Sequence, residues 1–141
     1  MRKLVRRFLK IVLLIFLLDI GISFYLLVHD LKTRFPKLDF SQVHFGVASW
    51  YSRNDKNINE QTANGEKFND NRHTCASWDY PFGTRLLVIN SLNGKWVVCR
   101  VNDRGPAKYL GRKVDLTKTA FRKIANLKKG LIFVAFVPVQ P

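Results

Sequence analysis

The carboxyl group best placed for chemistry in this sequence belongs to Asp103, in the segment 101–106, Val-Asn-Asp-Arg-Gly-Pro. An alternating apolar run precedes Asp103 and a Gly-Pro pair follows it, so the pattern predicts a side chain at the tip of a strand, immediately before a turn. A strand fixes the direction of the carboxyl and a turn opens space in front of it, which is what a general acid needs to meet a substrate. The alternative, from the residues alone, is a carboxylate that only caps the turn through its side chain.

Six short strands are predicted to position this group, over residues 46–51, 74–78, 84–90, 95–102, 113–116 and 131–139. A long polar loop separates the first two, and the Asn-Gly pairs at 64–65 and 93–94 are typical of hairpin turns. One short helix is predicted from Thr117, a candidate N-cap, to about residue 126. Several short strands with a single helix indicate a mostly β, closed structure, but composition does not distinguish a barrel from a sandwich.

Four segments in this order resemble the rare lipoprotein A family: Gly-Val-Ala-Ser-Trp-Tyr at 46–51, Thr-Ala-Asn-Gly-Glu at 62–66, Pro-Phe-Gly-Thr at 81–84, and the Asp103 segment. Gly-Arg-Lys-Val-Asp-Leu-Thr at 111–117 completes the match, which runs from about Phe45 to the end of the chain. Each motif is short, and it is their order that makes the resemblance specific. The resemblance implies a six-stranded double-psi β-barrel over residues 44–141.

The same resemblance implies lytic transglycosylase activity on the glycan strands of peptidoglycan. In that reaction the C6 hydroxyl of a sugar attacks its own anomeric carbon and yields a 1,6-anhydro product, so one acid/base residue is sufficient. Expansins and barwin-like proteins are related barrels that bind wall polysaccharide without cleaving it, so the alternative is a non-catalytic, expansin-like wall-binding module. A third hypothesis is a structural role in which the barrel recruits a cell-division or wall-synthesis protein.

For this sequence, the resemblance implies that Asp103 is the acid/base residue. Glu66 is a candidate supporting carboxylate, because hydrolytic glycosidases use two carboxylates. A solvated loop glutamate is the alternative for Glu66. Active members of the family carry a histidine where this chain has Ser77, and a hydroxyl can form hydrogen bonds but cannot shuttle protons near neutral pH as imidazole does. His73 lies four residues earlier, too far along a strand to take the same place.

Four residues beside the matched motifs are predicted to contact the glycan: Tyr51, Trp78, Asn102 and Arg104. Aromatic rings suit the apolar C–H faces of sugars, although such residues more commonly pack in a core or at its rim. Trp50 and Tyr51 alternate in direction along their strand, so at most one of the two is expected to face the groove.

The two cysteines, Cys75 and Cys99, lie in predicted strands that could be neighbours in a small barrel. A disulfide between them and a pair of buried free thiols are both compatible with the sequence. Cysteine and histidine are too few at ligand spacing to predict a metal site, and no cofactor is predicted.

The N-terminal region predicts a membrane anchor. Residues 11–28 are apolar except for Asp19, Gly21 and Ser23, and 18 residues are close to the length that crosses a bilayer. Bulky residues at 24–29 offer no cleavage site of the Ala-x-Ala kind, which favours an uncleaved signal anchor over a cleaved signal peptide. The predicted organisation is therefore a basic segment and transmembrane helix over 1–29, a linker over 30–43, and the barrel over 44–141.

The distribution of charged residues predicts on which side of the membrane the barrel lies and which kinds of molecule it binds there. The basic residues before the apolar run outnumber those just after it, so the barrel is expected on the extracytoplasmic side of the bacterial cytoplasmic membrane. The chain carries a formal net charge of +14, and residues 44–141 contain 16 Lys and Arg against 7 Asp and Glu, a net +9. Such a domain attracts polyanions, but no nucleic-acid-binding motif is present, so wall polymers and lipid headgroups are the expected partners.

Overall fold

The computed structural model describes residues 2–56 and 58–139 and divides into two compact units, Met1–Lys37 and Leu38–Pro141. The first unit is one long helix, α1 (Arg2–Arg34). Its segment Leu9–Arg34 has a mean hydropathy of 2.7 in its most apolar window, so it could cross a membrane by length and composition. A signal sequence near an N-terminus meets the same criterion.

Helix α1 continues five residues beyond the predicted end at residue 29, so the linker is shorter than the sequence analysis expected. Within the added turn, Arg34 Nε lies 2.8 Å from Asp30 Oδ1, and Thr33 Oγ1 donates a hydrogen bond to the carbonyl of His29. The helix then stops because Pro36 disfavours helical geometry at the residue before it.

The second unit is a closed barrel of six strands, as predicted. The strands are β1 (His44–Tyr51), β2 (Thr74–Ala76), β3 (Arg85–Asn90), β4 (Trp96–Asp103), β5 (Val114–Thr117) and β6 (Leu131–Val139). Their order around the barrel is β1-β5-β2-β4-β3-β6. The pairs β1–β5 and β2–β4 are parallel and the other four are antiparallel, as the double-psi topology requires.

Alternation along the strands fills the barrel with apolar side chains. On β4, Val97, Cys99 and Val101 point inward and are at most 4% exposed, which is the face that the sequence pattern assigned to them. The one short helix of this unit, α2 (Lys118–Ile124), closes one end of the barrel by burying Phe121 and Ile124 in the same core. Thr117 precedes α2 but does not cap it, because its hydroxyl donates instead to the carbonyl of Arg72 at 2.6 Å.

A disulfide joins Cys75 of β2 to Cys99 of β4, with 5.8 Å between the Cα atoms. Both residues are fully buried in the core. Because β2 has only three residues, the bridge fixes this short strand to the strand that ends in Asp103.

Candidate functional site

Asp103 is the last residue of β4 and lies half-buried at the rim of a cleft. Its Oδ1 accepts hydrogen bonds from the backbone N–H groups of Ala63 at 2.9 Å and Arg104 at 2.8 Å. Its Oδ2 has one longer partner, the hydroxyl of Tyr51 at 3.4 Å. Residues 58–63, Asp103 and Arg104 line the cleft, which has a volume of about 690 Å³. The carboxyl is thus held from one side by backbone donors, and Oδ2 has the longer and weaker contact.

Glu66 does not face Asp103 but forms the base of the loop that does. Arg100 binds it in bidentate fashion, with both nitrogen–oxygen distances at 2.8 Å, and the side-chain amides of Asn64 and Asn102 donate to it at 2.9 and 3.1 Å. These donors, led by Arg100, lower the pKa of Glu66 to about 2. Glu66 is therefore ionised at neutral pH and cannot be the proton donor in this arrangement.

The Glu66 cluster positions the loop that holds Asp103. Asn64 N–H donates to the carbonyl of Asn102 at 3.2 Å, and Gly65 closes the turn at a positive φ of 89°, which glycine adopts without strain. One residue earlier in this loop, the N–H of Ala63 reaches Asp103. The Thr-Ala-Asn-Gly-Glu motif therefore places one backbone donor at the candidate acid.

Asp115 is a second carboxylate at the site, one that the sequence analysis did not single out. Ala76 of β2 pairs with Asp115 of β5 on one side and with Asp103 of β4 on the other. Two strand spacings, roughly 10 Å, therefore separate the Cα atoms of the two aspartates. A Cβ placed on Gly105 would lie 3.8 Å from Asp115 Oδ2, so the turn after Asp103 folds over Asp115.

The surroundings of Asp115 favour its protonated form. Burial is the largest effect and raises the pKa of Asp115, and the nearby charge of Asp103 acts in the same direction. A hydrogen bond from Ser49 and the positive charge of Arg112 lower this pKa by less. Arg112 Nε is 3.7 Å from Asp115 Oδ1, too far for a hydrogen bond, and this nitrogen is buried without a hydrogen-bond partner among the described residues. The sequence contains a signal for this residue, the alternation Val-Asp-Leu, which places Asp115 outward between inward-facing Val114 and Leu116.

Tyr51 touches the candidate acid through its hydroxyl, while its ring is buried. The ring is 7% exposed and packs on Phe68, with 5.0 Å between centroids. Burial first, and then the charge of Asp103, raises the pKa of Tyr51 far above its usual range, so its hydroxyl remains a donor. Trp50 turns the other way, donating from Nε1 to the carbonyl of Leu127, as strand alternation predicted.

Arg104 lines the cleft, and Trp78 lies beside the turn that follows Asp103. Arg104 Nη1 donates to the carbonyls of Ser77 at 2.8 Å and Tyr80 at 3.0 Å, and its guanidinium lies 3.7 Å from the centroid of the Phe82 ring. Trp78 is 50% exposed and donates from Nε1 to the carbonyl of Pro106 at 2.7 Å. Trp78 therefore offers an open aromatic surface beside the turn that follows Asp103.

The sequence pattern of the lytic transglycolase family, a double-psi β-barrel family, matches residues 43–136 of this chain. The chain belongs to this family. It is 46% identical over 95 residues to a probable endolytic peptidoglycan transglycosylase RlpA of Synechocystis sp., and 44% identical over 86 residues to that of Nostoc sp.. These matches cover 67% and 61% of this chain but only 29% and 23% of the two relatives.

The fold also resembles the apo crystal structure of a Clavibacter michiganensis expansin. The TM-score is 0.55 and the sequence identity 25%, over 70% of this chain and 50% of the expansin chain. The barrel of a lytic transglycolase family member and that of an expansin are therefore alike in fold, and the residues of the site must distinguish their chemistry.

Two residues expected at this family site are buried away from the cleft. Ser77, at the position where the family resemblance implies a histidine, is fully buried, and its hydroxyl lies 3.5 Å from the carbonyl of Lys113 and 3.3 Å from the N–H of Asp79. Asn102 is 3% exposed and donates to Glu66. Neither side chain reaches the cleft, so Ser77 does not replace the histidine as a proton carrier.

His73 does not take that place either. Its residue is largely exposed, and partial desolvation of the ring, followed by the charge of Lys123 on α2, lowers its pKa. Asp79 points to Lys113, with 3.5 Å between carboxylate and ammonium. The carboxylates that the structure does bring together are Asp103 and Asp115.

Proposed function

We propose that this protein is a peptidoglycan lytic transglycosylase in which Asp103 is the catalytic acid/base. The observation that carries the proposal is the position of Asp103, at the rim of an open cleft with Oδ1 held by two backbone donors. Fixed donors of this kind keep the carboxyl in one orientation, which is the requirement for proton transfer to a bound glycosidic oxygen.

The reaction proceeds in two proton transfers through one carboxyl group. Asp103 Oδ2, as the acid, protonates the leaving glycosidic oxygen while the bond to the anomeric carbon breaks. The C6 hydroxyl of the same sugar then attacks that carbon, and the Asp103 carboxylate accepts the hydroxyl proton. A 1,6-anhydro sugar forms, the acid is regenerated and no water enters the product.

The other site residues serve this carboxyl in our proposal. Tyr51 keeps its proton and supports Oδ2, while Glu66 is a positioning residue that acts through the loop bearing Ala63. Asp115, near Asp103 and with a raised pKa, provides a group that can hold a proton when Asp103 is ionised. In the same proposal, the glycan passes Arg104 in the cleft and contacts the exposed ring of Trp78 beside the turn after Asp103.

The decisive experiment is incubation of the purified full chain with stem-peptide-free glycan strands, followed by mass spectrometry of the products. We expect 1,6-anhydro ends from the native protein and none from Asp103→Asn. Asp79→Asn is the matched control, because it removes the same charge from an exposed aspartate that is paired with Lys113. Intact strands after long incubation with folded native protein would refute the proposal.

A second candidate is a wall-binding module without turnover, favoured by the expansin-like fold and by the loss of the family histidine at Ser77. It predicts that glycan strands are retained by the protein whether or not Asp103 is changed to Asn. Replacing the exposed Trp78 with Ala would weaken that retention, while no 1,6-anhydro product would form with any variant.

We further propose that α1 anchors the protein in the bacterial cytoplasmic membrane, with the barrel outside the cytoplasm. The disulfide supports this placement, since such bonds persist in oxidising compartments. Alkylation of a Tyr109→Cys variant in whole cells by a membrane-impermeant reagent would test it, because Tyr109 is 88% exposed on the barrel and the new thiol would remain unlabelled if the barrel were cytoplasmic. A division or wall-synthesis protein as partner stays a prediction of the sequence.

A further inference from the structure

Charge is distributed unequally between the two ends of the barrel. Residues 80–102 and 116–139 contain no Asp or Glu, and they form β3, nearly all of β4, α2 and β6. The seven carboxylates of residues 44–141 belong to the loop 52–71 and to Asp79, Asp103 and Asp115. The end of the barrel where the last turn of α2 meets the hairpin between β3 and β4 therefore carries cations, and the segments that form it contain no acidic residue.

A cationic hollow of about 470 Å³ lies at that end, between α2 and the hairpin that joins β3 to β4. Its wall includes three exposed cations, Lys95, Arg122 and Lys129. Among the described residues none of the three lies within 4.0 Å of a carboxylate oxygen. We call this end, with its hollow and the apolar side chains described next, the basic pole.

The basic pole is a preformed surface, because polar contacts fix its parts to one another. The side-chain amides of Asn90 and Asn93 both donate to the carbonyl of Ile124, at 2.9 and 3.1 Å. Asn90 is 1% exposed, so the hairpin and the end of α2 are joined through a buried amide. The cations around the hollow therefore project from a rigid frame.

Large apolar side chains stand exposed around the same hollow. Leu92 at the hairpin tip is 77% exposed, and Leu131 and Phe133 on the outer face of β6 are 54% and 52% exposed. Ser91 N–H donates to the carbonyl of Phe133 at 3.0 Å, which places the hairpin against β6. Leu131 follows the pair Lys128 and Lys129 after a single residue, Gly130.

We propose that the basic pole docks on the surface of an anionic phospholipid bilayer. Exposed apolar side chains beside unpaired Lys and Arg match the two layers of such a surface, the acyl boundary and the negative headgroups. An anionic wall polymer matches the three cations but offers no apolar layer to the exposed side chains of Leu92, Leu131 and Phe133, whereas a bilayer surface offers both. The hollow has room for a phosphate headgroup between Lys95, Arg122 and Lys129.

Docking through the basic pole leaves the cleft accessible. Trp96 begins β4 beside the pole and Asp103 ends it, seven residues later, which corresponds to roughly 20 Å along a strand. The barrel can therefore rest on the bilayer while its cleft receives a polymer from the other side. The inference is independent of whether Asp103 cleaves that polymer.

The test is hydrogen exchange of the full chain in lipid nanodiscs of two compositions, phosphatidylcholine alone and equal parts of phosphatidylcholine and phosphatidylglycerol. Because α1 is present in both, the difference between compositions isolates the contribution of the barrel. We expect the anionic discs to slow exchange several-fold in peptides covering 90–95 and 127–133, and high salt to remove this protection.

Charge variants decide between docking and an indirect effect. Lys95→Gln with Lys129→Gln should remove most of the lipid-dependent protection, because each cation near an anionic surface contributes to binding. Lys56→Gln with Lys108→Gln removes the same charge away from the pole and should leave the protection intact. Thermal unfolding of both double variants checks that the barrel is folded.

Three results would overturn the proposal: equal exchange at the pole in both compositions, unchanged protection in the Lys95/Lys129 variant, or protection confined to the loop 52–71. Protection of the pole by peptide-free glycan strands without lipid would assign the surface to the wall polymer instead. None of these readouts depends on glycan cleavage, so failure here is distinguishable from failure of the proposed function.

Discussion

The carboxyl groups of this barrel differ because their surroundings differ. Glu66 has four donor contacts and is ionised, Asp103 has backbone donors on one oxygen, and Asp115 is buried beside a like charge. The site therefore combines one permanent anion with two aspartates that share an electrostatic environment.

Asp115→Asn tests the role of the second aspartate. We expect 1,6-anhydro product formation to fall by about 100-fold, the lower range for loss of a general acid–base contribution. The melting temperature at neutral pH should stay the same or rise, because the asparagine can still accept the hydrogen bond from Ser49 and no longer places a buried charge near Asp103.

The pH dependence of unfolding gives an independent check on Asp115. A raised carboxyl pKa means that the folded native protein holds this proton more tightly than the unfolded chain does. Its stability therefore falls as pH rises from the unfolded value of about 3.9 through the raised folded pKa. Asp115→Asn should lack this fall, and an identical pH profile for the two proteins would contradict the assignment.

Glu66→Gln tests the positioning role of Glu66. The pH dependence of stability that Glu66 contributes is opposite in sign to that of Asp115. Because the folded pKa of Glu66 is about 2 and the unfolded value about 4.3, its ion pair stabilises the protein above pH 4.3 and loses this effect as pH falls toward 2. The Glu66 side chain is 37% exposed, so solvent screening limits the loss at neutral pH to about 1 kcal/mol or less.

Urea unfolding of Glu66→Gln between pH 2 and pH 5 should show a flatter profile than the native protein in that window. Turnover should fall mainly through kcat, because the loop with Ala63 no longer fixes Asp103 Oδ1. Asp79→Asn serves as the control, since its half-exposed carboxylate contacts Lys113 at 3.5 Å and does not line the cleft. A normal kcat in Glu66→Gln would show that Glu66 does not position Asp103.

Elements of the fold were predictable where the pattern is local. The period of two along β4 identified its inward face, and Asn93–Gly94 marked the hairpin that the structure places between β3 and β4. The roles of the carboxylates were not readable in this way. Glu66 meets Arg100 across 34 residues, and Asp115 meets Asp103 only because β2 pairs with both of their strands.

Ser77, which follows the last residue of β2, shows the same limit of prediction from local sequence. The predicted strand extended to residue 78, whereas β2 ends at Ala76 after a register shift between Cys75 and Ala76. That irregularity turns Ser77 into the interior, where it is fully buried. Local alternation cannot reveal a shift that arises from pairing with β4.

The disulfide joins two strands, and the effect of its loss on the free energy of unfolding can be calculated. Cys75 and Cys99 close a loop with a sequence separation of 24, so removing the bond should lower the free energy of unfolding by about 3 to 4 kcal/mol. Urea unfolding of the double variant Cys75→Ala and Cys99→Ala measures this. The native protein under reducing conditions should unfold at nearly the same urea concentration as the variant, and a change below about 1 kcal/mol would show that the bond is not a stabilising tether.

At the scale of the whole molecule, the two units differ in what can stabilise them. The described part of α1 exposes nearly all its apolar side chains, as expected of a segment that requires a membrane environment. The barrel contains a closed sheet, a buried core plugged by α2 and an internal disulfide. Each of its stabilising features lies within residues 38–141.

We therefore predict that residues 38–141, produced without α1 under oxidising conditions, fold alone. Their thermal unfolding should be cooperative and within a few degrees of the barrel transition of the full chain in detergent, because the transition melts the same core. Turnover of soluble glycan strands should equal that of the full chain, since every residue that contacts Asp103 is retained. A shortened chain with no cooperative transition would show that α1 contributes to the fold of the barrel, whereas a folded but inactive one would show that α1 contributes to the site.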